Sequence, residues 1–389
     1  MCLTKRGIFS VVFFAFVTLM LGCQSSSTVQ LDSQSIIFDK GFPGFDKIQI
    51  EDKKDIFHLD DEAKLFVHQS VGAAGEPLEQ IKALVYALFD QSQFNLLYDG
   101  NANTVAAETF KRKAANCLSL SIMTYALAEE AGFNAQFQDI DIPEYWTRNQ
   151  GYSVLNGHIN LRLAPKADAT VFTARGKGYQ VDFDPLASRS HFKKRVVSKS
   201  IVIAMYYNNK GADALINYRF DEAYAYFRQA LIIEDSFEST AVNLGLLYRL
   251  TGHFDQAEAS YNYVLERNPN NLTAWENLAY LYLVTERVEL AQKILADVEG
   301  KRANNPYYYV SLGEHELELG NYLTALSHFK KALTLDKKRH EIYFGLARVY
   351  LQLGEKDMAQ HYLELAKDFS SNQQDELRYQ SKLDFLTSL

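Results

Sequence analysis

The chain reads as an α+β domain followed by an all-α solenoid of helical repeats. Three observations carry this. Helical patterns give way to alternating strands between about residues 60 and 185. From residue 204 onward, small and large residues recur every 34 positions. Ahead of both stands one short apolar run flanked by Lys5, Arg6 and Cys23. A length of 389 residues suits two or three domains. The net charge of −8, without a basic face, argues against nucleic acid as a partner.

Lys5 and Arg6 lead into IFSVVFFAFVTLMLG, an apolar run of about 14 residues, shorter than the ~18–20 a spanning helix needs. The run ends in LMLGCQSSS. A short apolar segment closing on Leu-Gly-Cys resembles the lipobox of bacterial lipoproteins. That resemblance implies a signal peptide over residues 1–22, with Gly22 before the cut and Cys23 lipidated. It also implies a lipid-anchored protein of the bacterial envelope. Gln24 rather than Asp after the cysteine implies the outer membrane, facing the periplasm. QSSSTVQLDSQS is polar and low in complexity, so residues 23–59 read as a flexible tether and lead-in.

The first domain is expected over residues 60–185. One helical pattern starts near Asp60. A second starts at Glu76-Pro77, with proline in an acceptable first-turn position. Leu78, Ile81, Leu84, Val85, Leu88 and Phe89 follow at helical spacing. A third helix begins near Cys117 and stops at Gly132. The strands HINLRL and YQVDFD come next. Residues 186–203, with His191 and the basic run FKKRVVSK, read as a solvated or interdomain linker.

Cys2 leaves with the signal and Cys23 is taken by lipid, so Cys117 stands alone where cysteines usually pair. It is either a small buried hydrophobe or a reactive thiol. Asn116 is a good N-cap residue, which puts Cys117 at a helix N-terminus. Free N–H groups and the helix dipole there favour a thiolate and can bring a cysteine below its free value of about 8.5. On the strand GHINLRL, Ile159, Leu161 and Leu163 share one face, and His158, Asn160 and Arg162 share the other. On the next strand Asp182 and Asp184 share a face, and either could hold the His158 imidazole in one tautomer. Backbone N–H groups at the start of the Cys117 helix would form part of an oxyanion hole. Asn116 and Trp146 are candidates for that hole or for a lip of the site.

Cysteine at a helix start, then histidine and aspartate on successive strands, together with NCLSLSIMTYALAEEAGFNAQF, resembles the transglutaminase-like cysteine-enzyme superfamily. The resemblance implies a papain-like α+β fold with Cys117 as nucleophile and His158 as base. Its acid is Asp182 or Asp184, and Pro185 favours Asp184. It further implies acyl transfer on an amide, ending in hydrolysis or transamidation, with no cofactor and no metal. Asn160 stands where the family often has an aromatic residue.

Beyond the linker, Ala223, Ala257, Ala291, Ala325 and Ala359 recur every 34 residues. On the same period fall Gly211, Gly245, Ala279, Gly313 and Ala347, and also Phe227, Tyr261, Leu295, Phe329 and Leu363. Small residues let two antiparallel helices approach, and large ones fill the gap to the next pair. The pattern resembles the tetratricopeptide (TPR) repeat, in five copies over residues 204–373 with a capping helix at 374–389. That implies a groove for a protein or peptide partner. Tyr280, Glu314 and Arg348 share one groove position; Leu215, Arg249, Leu283, Leu317 and Leu351 share another. The reading is a lipid-anchored acyl-transfer enzyme whose repeats recruit a protein. The alternative is a non-catalytic TPR scaffold with a degenerate first domain.

Overall fold

The computed structural model describes residues 32–389 apart from 73–74, 90–96, 101, 150–151, 167–177, 184–191, 371–372 and 389. The expected signal peptide, Cys23, Asp184 and His191 therefore lie outside the described residues.

Helix α1 (Asp61–Val71) starts where Asp60 accepts a hydrogen bond from the Ala63 N–H at 2.9 Å. Helix α2 (Pro77–Phe89) buries Ile81, Leu84, Val85 and Leu88 of the stripe expected from the sequence, while Phe89 at its end is exposed. Two short parallel strands, β1 (Leu97–Tyr98) and β2 (Ala114–Ala115), flank α3 (Ala106–Arg112). Helix α4 (Cys117–Glu130) is apolar or small on nearly every side and is buried from Leu118 to Met123 without a break. Gly132, at φ +79°, turns the chain out of it, a conformation that favours glycine.

Four strands form an antiparallel sheet in the order β5-β4-β3-β6. They are β3 (Asn134–Asn149), β4 (Tyr152–Ala164), β5 (Tyr179–Val181) and β6 (Lys194–Val197). β3 and β4 make a long hairpin. Its inner half pairs regularly up to Ile140 opposite His158, and pairing resumes at Tyr145 opposite Asn156. Pro143 sits in the intervening irregularity, where its missing N–H costs no ladder hydrogen bond. Trp146, a candidate for a lip of the site, thus lies on the outer half of a strand.

Two boundaries differ from expectation. Residues 186–203 are not simply a linker: β6 closes one sheet edge, and helix α5 (Lys199–Ile216) already begins at the Ser198 cap. The cause is apolar content, because Val197, Val202 and Ile203 enter the same core as α4 and the sheet. Nor are residues 33–57 a free tether. They form short 3-10 turns that strap across the first repeats. Phe42 stacks on Tyr224 at 4.5 Å, and Arg228 pairs with Asp39 at 2.8 Å. The Tyr248 hydroxyl donates to the Ile36 carbonyl at 2.8 Å, and that of Tyr226 to Glu51 at 2.9 Å.

The solenoid follows in five helix pairs. They are α5 with α6 (Phe220–Ile233), α7 (Glu238–Leu250) with α8 (Phe254–Arg267), and α9 (Leu272–Val284) with α10 (Val288–Arg302). Then come α11 (Pro306–Glu318) with α12 (Tyr322–Leu335), and α13 (His340–Gln352) with α14 (Lys356–Asp368). Helix α15 (Gln373–Ser388) caps the stack by burying Tyr379, Leu383 and Leu386.

Within each pair the small position of the first helix faces the large position of the second. A Cβ on Gly211 would lie 2.6 Å from the Phe227 ring, one on Gly245 2.5 Å from Tyr261, and one on Gly313 2.9 Å from Phe329. The repeats with alanine at this position, Ala279 and Ala347, carry Leu295 and Leu363 instead of a ring. Volume is conserved pair by pair, as close packing demands. Gly245→Ala should therefore cost about 1–3 kcal/mol through overpacking. Adding Tyr261→Leu should return part of that loss, with a coupling of about 1 kcal/mol in a urea double-mutant cycle. Strict additivity would contradict this packing account.

Candidate functional site

The N-terminus of α4 is built by Asn116. Its Oδ1 accepts from the Ser119 N–H at 2.9 Å, its Nδ2 donates to Asn103 Oδ1 at 2.5 Å, and its own N–H donates to the Ala102 carbonyl at 3.2 Å. Asn116 therefore shapes the turn. The amides of Cys117 and Leu118, in the first turn, are of the kind a helix leaves without intrahelical partners. Cys117 is the first residue of α4 and is partly exposed.

His158 comes from β4 and is only 4% exposed. Its Nε2 lies 2.9 Å from Asp182 Oδ1, and Cys117 stands close enough to the ring to favour its charged form. The sheet register explains the meeting. Leu161 pairs with Val181 across the β4–β5 ladder, so the next residue, Asp182, falls opposite Asn160, two positions from His158. The Asn160 Nδ2 donates to Asp182 Oδ2 at 2.9 Å. Asn160 is fully buried, and among the described residues its Oδ1 has no hydrogen-bond partner. Both carboxylate oxygens of Asp182 are thus fixed, one by His158 and one by Asn160. Asn160 was not expected to take part, although its place on the His158 face of the strand was the available signal.

Burial works to lower the pKa of His158. The Asp182 hydrogen bond and carboxylate, together with Cys117, outweigh it and raise the pKa from 6.5 to about 10. The proton therefore rests on the imidazole across the neutral range, beside the Cys117 sulfur. Among the described residues, no group of three or more His, Cys, Asp or Glu side chains is placed to hold a metal ion.

Trp146 does not join this group. It pairs with Leu155, three residues along β4 from His158, or about 10 Å at strand rise. The outer hairpin is an arm resting on the third and fourth repeats. Glu144 forms a two-point ion pair with Arg302, Oε2 to Nε at 2.9 Å and Oε1 to Nη2 at 3.2 Å. Arg302 is 2% exposed and also pairs with Glu276 at 3.0 Å. Burial works against its charge, but the two carboxylates prevail and raise its pKa. The Asn305 side chain donates to the Glu144 carbonyl at 2.7 Å. Trp146 lies under the Arg302 guanidinium, 4.8 Å from ring centre to charge, and edge-on to Tyr308. Farther along the solenoid, the groove positions Glu314 and Arg348 pair with each other.

Two family models match this chain, both within the repeats and their cap. The tetratricopeptide repeat family matches residues 248–312, and the family described as regulator of microtubule dynamics protein 1-3 matches residues 315–388. The protein O-mannosyl-transferase TMTC3 of Mus musculus is 29% identical over 167 residues, 39% of this chain and 18% of its own length. The TPR repeat-containing protein MJ1428 of Methanocaldococcus jannaschii is 22% identical over 197 residues, 38% of this chain and 35% of its own. The chain thus spans less than a fifth of the mouse relative. Among solved structures, one of MamA is 25% identical, covering 42% of this chain and 90% of its own, with a TM-score of 0.24. A thermophilic TPR protein of Thermus thermophilus is 23% identical, covering 46% and 98%, with a TM-score of 0.31. The chain carries tetratricopeptide repeats, an all-helical solenoid of the kind that mediates contacts between proteins.

Proposed function

We propose that this TPR protein carries a transglutaminase-like acyl-transfer site, with Cys117 as nucleophile, His158 as proton carrier and Asp182 as the acid that orients it. One observation carries the reading: a buried imidazole hydrogen-bonded to a carboxylate and standing beside a helix-terminal cysteine.

With its proton on His158, the Cys117 sulfur attacks an amide carbonyl. A C–S bond forms, and the carbonyl electron pair moves to oxygen, where the first-turn amides of α4 stabilise it. As the C–N bond breaks, the leaving nitrogen takes the His158 proton. Neutral His158 then removes a proton from water, which attacks the thioester, and the C–S bond breaks to release a carboxylic acid. An amine in place of water gives transamidation. The repeats deliver a protein substrate, and Cys23 lipidation would hold the whole at the outer membrane.

A second reading keeps the repeats as a scaffold and the first domain as inert. It is supported by the family matches at residues 248–388, which fall within the solenoid and its cap.

Alkylation by iodoacetamide, on the chain from Gln24 onward where Cys117 is the sole thiol, separates the two. The enzyme reading expects rapid labelling of the folded protein at neutral pH, slowed at least tenfold by His158→Gln. Labelling that needs unfolding, or that ignores His158, would leave the scaffold reading. The raised pKa of His158 makes a second expectation. Stability from the protonated imidazole is complete below its free value near 6.5 and is lost as pH rises toward about 10. Ring-proton NMR should find His158 titrating near pH 10, and Asp182→Asn or Cys117→Ala should each bring the midpoint down.

A further inference from the structure

We infer that the hairpin arm is a resident pseudo-ligand of the solenoid, and that the repeats' partner displaces it with a segment carrying a carboxylate beside aromatic residues. The inference rests on the interaction reading of the repeats and is independent of Cys117 reactivity.

The arm is held as a bound peptide would be. Its sequence there is Glu144-Tyr145-Trp146. The carboxylate takes the two-point bond to Arg302, and the Glu144 main-chain carbonyl takes the Asn305 amide. The two rings meet Tyr307 and Tyr308 at 5.6 and 6.2 Å. Charge, backbone and rings are all read within three residues.

Three features make the contact removable. Residues 141–144 lie in the gap in the β3–β4 ladder, and the Asp141 N–H still donates to the Lys193 carbonyl at 2.9 Å, so the arm can swing beyond Asp141 while the inner pairs up to Ile140–His158 stay closed. Pro143 gives up no hydrogen bond at that hinge. Arg302 keeps Glu276 at 3.0 Å when Glu144 leaves, so the buried guanidinium is never orphaned, the condition that makes breaking most buried pairs so costly. An incoming segment with the same chemistry meets a charged, ring-lined seat already assembled.

The test uses a fluorescein-labelled peptide of the arm itself, DIPEYWT, and fluorescence anisotropy on the chain from Gln24 onward. The double variant Glu144→Ala/Trp146→Ala should bind it at least tenfold more tightly than the wild type, and adding Arg302→Met should abolish the gain. No binding to a double variant whose circular dichroism matches the wild type overturns the inference, and so does equal binding to both. Should the double variant aggregate, amide exchange in the wild type gives the same reading. Excess peptide must raise exchange at residues 144–147, and unchanged exchange overturns the proposal.

Discussion

Burial of α5 against α4 and the sheet is the constraint from which the other arrangements follow. Val202, Ile203, Tyr206 and Tyr207 of the first repeat helix share one core with Ile122, Met123 and Leu127 of the cysteine helix and with Leu161 of the histidine strand. Each large apolar side chain in such a core contributes about 1.5–3 kcal/mol. The contacts that seat Cys117 and His158 are therefore also the contacts that start the solenoid. Lys199 adds to the joint at its rim, lying 4.1 Å from the centre of the Phe57 ring and 4.8 Å from that of Tyr125. With the inner end of the hairpin held by this core, its outer end can reach the third and fourth repeats.

What was legible in the sequence follows the range of the signal. The repeats could be read because a period of 34 is written five times. The pairing of Gly211 with Phe227, or Ala279 with Leu295, is a local volume rule that survives translation into structure. Asn116 as a cap and Gly132 as a helix stop are equally local. The choice between Asp182 and Asp184 was not legible, because sequence alternation assigns both to one face and Pro185 pointed to Asp184. Only the register of Leu161 against Val181 brings Asp182 to His158. Asn160 was visible on the right face, but its work on Asp182 is a cross-strand fact.

The misread segments share a cause. Residues 33–57 bury Ile36, Phe42 and Ile56 at irregular spacing, with no helix or strand period to announce it. Strand β6 is Lys-Arg-Val-Val, charged enough to look like a linker, and buries only Val197. Trp146, offered as a lip of the site, lies on the outer half of β3, beyond the interruption at Pro143. Long-range partners supplied the order in each case.

The strap and the arm also set a timetable for the growing chain. Ile36 waits for Tyr248, 212 residues later, and Glu144 waits for Arg302, 158 residues later. Helices close within themselves in microseconds or less, but contacts of such separation come late and slow a fold. A chain emerging from its N-terminus therefore carries its strap aromatics, Phe38 and Phe42, unsheltered until the second repeat has been made. Such exposed rings are what holding chaperones recognise, so a segment made early depends on residues made much later for its shelter.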